Sequence, residues 1–238
     1  KIADADTLEM TNLNRIRAKL IDVGGNKSDI AAREVWELDP FADLYVWRRG
    51  LHRNDIVKFI SGNPRLDVFI DEMDNVELKI ACRIVCREMK VPVVMATDNG
   101  DGIIVDVERY DLEPKRPIFH GRIHKKELGE GNDLQSIVMA VKIIDPAYLT
   151  ERHQKSILDI GKSLSGVAQL GTAAAMAGAA VAYVVRQIAN NKDLPSGRYA
   201  MSCEQTFIPG YNDARQKKHR RIRTEEFAKA LGISPKRT

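Results

Sequence analysis

The 238 residues are 44% hydrophobic and 29% charged, enough apolar material for one large domain or two small ones and too much for a disordered chain. The net charge of +4 is mild, so a polyanionic partner is allowed but not demanded. Three cysteines, Cys82, Cys86 and Cys203, without a C-x-x-C pair exclude a disulfide framework and a four-cysteine structural zinc site, and an odd count fits a reducing, cytoplasmic setting.

The chain opens on an apolar lead-in, Ile2-Ala3, that ends in Asp4-Ala5-Asp6, with Asn12 and Arg15 following. In a doubly wound α/β domain an acid at the carboxyl end of a strand is placed to bond a nucleotide ribose. An arginine just beyond it can reach a phosphate with its planar fork of donors. The plain alternative is a strand end capped by a solvated aspartate, with an arginine in a loop. No cationic, apolar leader stands at the start. The strand, glycine-rich turn and helix that normally begin a nucleotide-binding domain are also missing, through a fragment, an omitted upstream part or a degenerate site.

Asp22 to Asn26 is a turn, and the spacing predicts a helix over Lys27 to Leu38 with Ala31, Val35 and Leu38 facing inward and Pro40 just beyond its end. Lys27 then stands at a helix N-terminus, where it opposes the backbone dipole; a phosphate between them makes that choice intelligible. A strand is expected over Leu44–Trp47, a short helix over His52–Ile60, a turn at Ser61–Pro64 and a core strand over Leu66–Ile70. That strand runs into Asp71-Glu72-Met73-Asp74-Asn75. Two carboxylates at such a strand end suit Mg²⁺, which keeps water and phosphate oxygens in its shell; otherwise Asp74 simply caps the next helix. That helix is expected over Val76–Met89, with Ile80, Ile84 and Val85 on its buried side, followed by a strand at Val91–Met95. Strands alternating with helices imply right-handed βαβ units and a mostly parallel sheet.

Ile103–Val107 is expected as an added hairpin or edge strand, and Glu108 to Asn132 as a long connection without apolar period. Helices follow over Leu134–Ile144, Thr150–Ile160 and Val167–Asn190. The uncharged run from Gly166 to Val185 has the length of a membrane span. Its Ala and Gly content, with Gln169 and Thr172 inside, favours a buried helix, and no membrane partner is expected. Arg198–Phe207 looks like a final strand. Arg215 to Arg223 is a basic run, ordinarily a solvated tail and less readily an RNA or acidic-protein contact, after which Thr224 caps a short helix ended by Gly232. Cys82 and Cys86, one helical turn apart, suit a core. Cys203 lacks a paired histidine for nucleophilic work, and Gly121 argues against a helical metal pair of His120 and His124.

Taken together, D-x-D-T-x-x-x-[ST]-N-L-N-R at residues 4–15, V-G-x-x-K ending at Lys27 and D-x-x-D-N at residues 71–75 resemble the ThiF/MoeB/E1 adenylating-enzyme family. The resemblance covers residues 1–107 well and the remainder more loosely. It implies a Rossmann-like α/β fold with a mostly parallel sheet, flanking helices, a long crossover loop and C-terminal helices. One adenylation domain would span residues 1–210, its crossover loop about 108–132, with a basic tail over 211–238. ATP and Mg²⁺ would adenylate the C-terminal carboxylate of a small ubiquitin-like or sulfur-carrier protein, releasing pyrophosphate. By position Asp4 is similar to the family's ribose acid, Asn12 and Arg15 to its triphosphate pair, Lys27 to its phosphate lysine and Asp74 to its magnesium aspartate. Asp6 and Asn75 join the nucleotide contacts, and Asp71 is a second candidate for the metal. The departures are the absent G-x-G-G-x-G loop, the absent zinc cysteines and a crossover loop without cysteine, which favours adenylation without a thioester relay. A homodimer is implied. The alternatives are a non-catalytic scaffold of the same fold, or adenylation of a small-molecule or tRNA-borne carboxylate.

Overall fold

The computed structural model describes residues 1–123, 133–164 and 166–233. The chain divides into two compact units, Lys1–Leu66 and Asp67–Thr238.

In the first unit β1 (Ile2–Ala3) and β2 (Val46–Trp47) pair in parallel, Ile2 opposite Val46, with α1 (Lys27–Leu38) between them in sequence. The bounds of α1 are those expected, but its buried face is Ser28, Ile30 and Ala32, while Ala31 and Leu38 are exposed, Leu38 at 75%. For Leu38 the physical reason is length. A helix of 12 residues runs about 18 Å, and strands of two residues cover only its first turns. A 3-10 turn at Arg53–Asp55 leads into α2 (Ile56–Ser61), which buries Ile56, Phe59 and Ile60; Trp47 meets the Phe59 ring edge-on at 5.3 Å.

The second unit carries a sheet in the order β3 (Phe69–Ile70), β4 (Val93–Asp98), β5 (Gly102–Glu108), β6 (Gly197–Ser202). β3 and β4 are parallel, joined through α3 (Val76–Glu88); β5 and β6 extend the sheet antiparallel, with Asp106 directly opposite Arg198. The architecture is thus α/β with parallel pairs and the expected added hairpin. α6 (Gly171–Ala189) lays Ala173, Ala177, Val181, Val184 and Ile188 over Val94, Ala96, Ile103, Val105 and Val107. Among the described residues this is the one helix long and apolar enough to cross a membrane. Only one of its faces is buried, since Thr172, Ala175, Gly178, Ala179 and Ala182 remain exposed.

α4 (Asp133–Ile144), α5 (Glu151–Leu158), α7 (Cys203–Phe207) and α8 (Ala214–Ala230) complete the unit. The expected strand over 198–207 therefore stops at Ser202, whose hydroxyl accepts from Gln205 N–H at 3.1 Å and starts α7. The basic run is not a tail but the first half of α8. Phe227 and Ala228 seat that helix in an apolar cluster with Val141, Leu149 and Ile157. Thr224 lies inside the helix rather than at its start, its hydroxyl accepting from Gln154 Nε2 at 3.1 Å. Gly232, at φ +66°, ends it as expected.

Buried charge holds the sheet ends together. The inner face of α3 is Ile80, Cys82, Arg83 and Cys86, whereas Ile84 and Val85 are half-buried. Arg83, with no exposed surface, bonds the Asp71 carboxylate after β3 and donates through Nε to Glu108 Oε2 at 2.6 Å at the end of β5. Its guanidinium stacks 3.9 Å from the centre of the Phe119 ring. Glu108 Oε1 also accepts from Tyr110 Oη at 2.6 Å and Phe119 N–H at 2.7 Å. The first part of the connection after β5 is consequently packed by Tyr110, Ile118, Phe119 and Ile123, although it shows no apolar period; isolated anchors leave no periodic trace. Asp106 and Arg198 form a second buried pair, with Nε–Oδ1 at 2.7 Å and Nη2–Oδ2 at 2.6 Å. The same Arg198 donates to the carbonyls of Ile143 and Ile144 near the end of α4.

Replacing Arg83 with Met leaves two buried carboxylates short of their cation and should cost about 3–5 kcal/mol, read from urea unfolding. Burial pushes the Asp71 and Asp106 carboxyls up, but Arg83 and Lys79 at the first, and His120 and Arg198 at the second, outweigh it and hold both below the usual range. Their contribution is therefore complete above about pH 4 and is lost as pH falls through the depressed folded values, which urea midpoints taken at descending pH will register.

Candidate functional site

In the first unit the site begins where β1 ends. Asp4 Oδ1 accepts from Asp6 N–H at 2.9 Å, which curls the acidic stretch back on itself. The following residues are stitched to the turn before α1: Leu8 N–H to Gly25 O, Gly24 N–H to Leu8 O and Lys27 N–H to Asp6 O, at 2.8, 2.8 and 2.9 Å. Gly24 makes this possible with a φ of +90°. Asp6 is thereby placed beside Lys27, with Nζ–Oδ2 at 2.9 Å. Lys27 is the first residue of α1, and 22% of its side chain is exposed. Asp6 offsets the clash between this lysine and the helix dipole. An entering anion meets both the ammonium and the positive end of the helix.

Asn26 organises this corner. Its Oδ1 caps α1 by accepting from the N–H groups of Ser28 and Asp29 at 3.1 and 3.3 Å, and its Nδ2 donates to the carbonyls of Asp4, Asp6 and Arg48 at 3.1–3.3 Å. Asn12 is buried and accepts from Glu9 N–H at 3.0 Å, closing the 3-10 turn Met10–Asn12. Arg15 donates through Nη1 to Thr11 O at 2.9 Å and Asn14 Oδ1 at 3.1 Å, so its guanidinium lies over its own loop. A cavity of about 290 Å³ opens beside Lys27, walled by Leu8, Ile16, Arg17, Ile30 and Glu34. This unit thus brings Asp4, Asp6 and Lys27 together, with Asn12 and Arg15 on the adjoining turn.

In the second unit the residues between β3 and α3 divide their work. Asp71 is fully buried, and its oxygens take Arg83, Lys79 Nζ at 3.1 Å and Met73 N–H at 3.2 Å. Asn75, not Asp74, caps α3, accepting from Leu78 N–H at 2.9 Å. Asp74 is exposed. Glu72 keeps much of its surface open, yet its carboxylate accepts from Ala96 N–H at 3.0 Å. Desolvation of that head group, with Asp71 and Asp98 nearby, raises it to about 7 against the pull of the Ala96 bond and Lys79; the open surface moderates the effect. Among the described residues no three His, Cys, Asp or Glu side chains converge on a metal position. A lone exposed carboxylate such as Asp74 fits Mg²⁺ that arrives with nucleotide phosphates and keeps its own waters.

The other candidates have plain roles. Burial pushes the Cys82 thiol up to about 12 and also raises Cys86, as expected of core residues. Cys203 begins α7 with its Sγ 3.5 Å from Met176 Sδ. His120 has both ring nitrogens engaged, Nε2 with Asp106 Oδ1 and Nδ1 with Arg116 Nη2, each at 3.0 Å. Arginine can only donate, so Nδ1 accepts and Nε2 carries the proton, leaving no lone pair for a metal. His124 lies outside the described residues. Asn26, Glu72, Lys79 and Arg83 were not singled out from the sequence. An asparagine directly before a helix is a cap signal, whereas a charged residue within an apolar face gives no sign that it is buried.

The sequence matches the ThiF family over residues 1–221. It is 38% identical over 202 residues to the uncharacterized protein MT1398 of Mycobacterium tuberculosis; the match takes in 83% of this chain and 27% of that one, so the chain spans about a quarter of that relative. E. coli MccB, solved with MccA-N7isoASN, shares the fold at 17% identity and a TM-score of 0.59, covering 85% of this chain and 53% of MccB. MccB solved with ATP gives 18% and 0.56 over the same shares. PaaA gives 17% and 0.53, covering 85% of this chain and 60% of its own. With the family match extending over nearly the whole sequence and the α/β architecture shared with these structures, the chain belongs to the ThiF family.

Proposed function

We propose that this chain belongs to an enzyme that uses ATP to adenylate a carboxylate, the acceptor being the C-terminus of a small ubiquitin-like or sulfur-carrier protein and the active assembly a homodimer. The observation that carries this reading is Lys27. It stands at the first residue of α1, held by Asp6 at the end of β1, so that an ammonium and a helix N-terminus face the same side of the acidic stretch. Membership of the ThiF family and the ATP-bound structure of MccB support ATP as the nucleotide. In the reaction a carboxylate oxygen attacks the α-phosphorus. The new O–P bond forms as the bond to the bridging oxygen breaks, and pyrophosphate leaves with that electron pair. Two anions approach one another in this step, so fixed cations lower its barrier most where charge builds up. Lys27 and Arg15 supply those cations, Asp4 and Asp6 bind the ribose side, and Asn12 keeps the Arg15 turn in shape. Asp74 would hold Mg²⁺, which when bound neutralises phosphate charge.

In the full-length protein, Asp74→Ala should abolish ATP–pyrophosphate exchange and Lys27→Gln should lower it by roughly 10²–10³-fold, with an unchanged circular dichroism spectrum. Exchange at the unmodified rate in both variants overturns the reading. Asn26→Ala should both weaken exchange and cost about 1–2 kcal/mol of stability, because one side chain serves helix cap and site corner.

A further inference from the structure

The chain's positive charge is concentrated on one helix. α8 has seven Lys and Arg against two Glu, a net of +5, which exceeds the +4 of the entire sequence. Over residues 215–223 the cations surround the axis: Arg215 and Arg223 share one side with His219, Lys217 and Arg221 another, and Lys218 the third. The far end of the helix is anchored by Phe227, Ala228 and the Gln154–Thr224 bond, while one side of the basic half meets α5 through Glu151, 4.0 Å from both His219 and Arg223. Among the described residues Arg215, Lys217 and Lys218 have no ion-pair partner, and no acid stands in the first turn beyond Asp213 at the cap. These cations crowd the positive end of the helix dipole, an arrangement that repels itself until an anion is added. Beside them a concavity of about 580 Å³ has a mixed lining, Arg152, Lys155 and Arg220 with Glu151, Glu204 and Asp213, and the Arg220 guanidinium lies 3.8 Å over the Tyr211 ring.

We propose that the first half of α8 is a docking element for double-helical nucleic acid, held through its phosphates. A helix that lies on a membrane needs an apolar face, and the basic half of α8, residues 215–223, is polar around its circumference apart from Ile222, while Phe227 and Ala228 are buried against the fold. A folded acidic protein would meet one face, whereas Lys217, Lys218 and Arg221, on two sides away from Glu151, suit a groove flanked by two phosphate strands. The family match ends at residue 221, within this helix.

The test is fluorescence anisotropy of the full chain with a labelled duplex of about 24 base pairs, as DNA and as RNA, over a series of salt concentrations. The variant Arg215→Gln/Lys217→Gln/Lys218→Gln should weaken binding at least tenfold at about 100 mM salt and reduce the log–log salt slope by about 2.7, three phosphate contacts at 0.9 each. Lys217→Arg/Lys218→Arg should retain both. The proposal is overturned if neither duplex binds at about 50 mM salt, if the triple variant keeps the slope, or if poly-glutamate or anionic vesicles bind as tightly as the duplex.

Discussion

One buried guanidinium holds the second unit in register. Arg83 reaches from α3 to carboxylates that close two strands, Asp71 and Glu108, and lies flat against Phe119 from the connecting segment. Removing such a charge from water is costly, and the cost is met because the group is locally neutral: Arg83 and Lys79 face Asp71 and Glu108. The remaining acceptor positions are filled by Tyr110, Phe119 N–H and Met73 N–H, so little polar capacity is left unsatisfied. The hydrophobic layer of α6 on the sheet supplies non-directional burial. The ion network supplies direction, fixing which strand ends and which loop lie beside one another.

That fixity bears on the proposed metal site. Asp71 is locked, so the loop that follows leaves a rigid point; four residues later Asn75 pins it again by capping α3. Asp74 is presented between two fixed positions. A carboxylate on a short, doubly tethered loop loses little freedom when it takes a ligand, which is the advantage of mounting a site on a rigid scaffold. In the first unit Asn26 does the equivalent work with neutral groups, using one amide to satisfy helix donors and loop carbonyls together. Both corners follow from the same requirement, that buried backbone groups find partners.

Much of this was legible in the residues because it is local. The start of α1 follows from the turn Asp22–Asn26 before a helical pattern, the span of α3 from its apolar period, and the strands from short β-branched runs between turns. The order of Asp4, Asn12, Arg15, Lys27 and Asp74 pointed to the ThiF family without any coordinate. What stayed hidden is decided by a partner far along the chain. Arg83 is 25 residues from Glu108, and Arg198 is 92 from Asp106. A charged side chain in an apolar helix face reads as an exposed exception, and only the fold reveals that two carboxylates await it.

The sequence by itself determined the family and the alternation of strands and helices, and it named the candidate nucleotide-site residues, since each depends on residue type at short spacing. Tertiary structure alone decided which of the clustered acids is structural and which is free, because burial of Asp71 depends on α3 and β5 rather than on its neighbours. It also turned the basic run from a tail into a helix, since Phe227 and Ala228 anchor it to Val141, Leu149 and Ile157, residues whose proximity no local pattern encodes. At the opening acidic stretch the two levels meet: the residue types mark the candidate ribose and phosphate corner of the proposed site, and the Asn26 clasp and the Asp6–Lys27 pair decide its geometry.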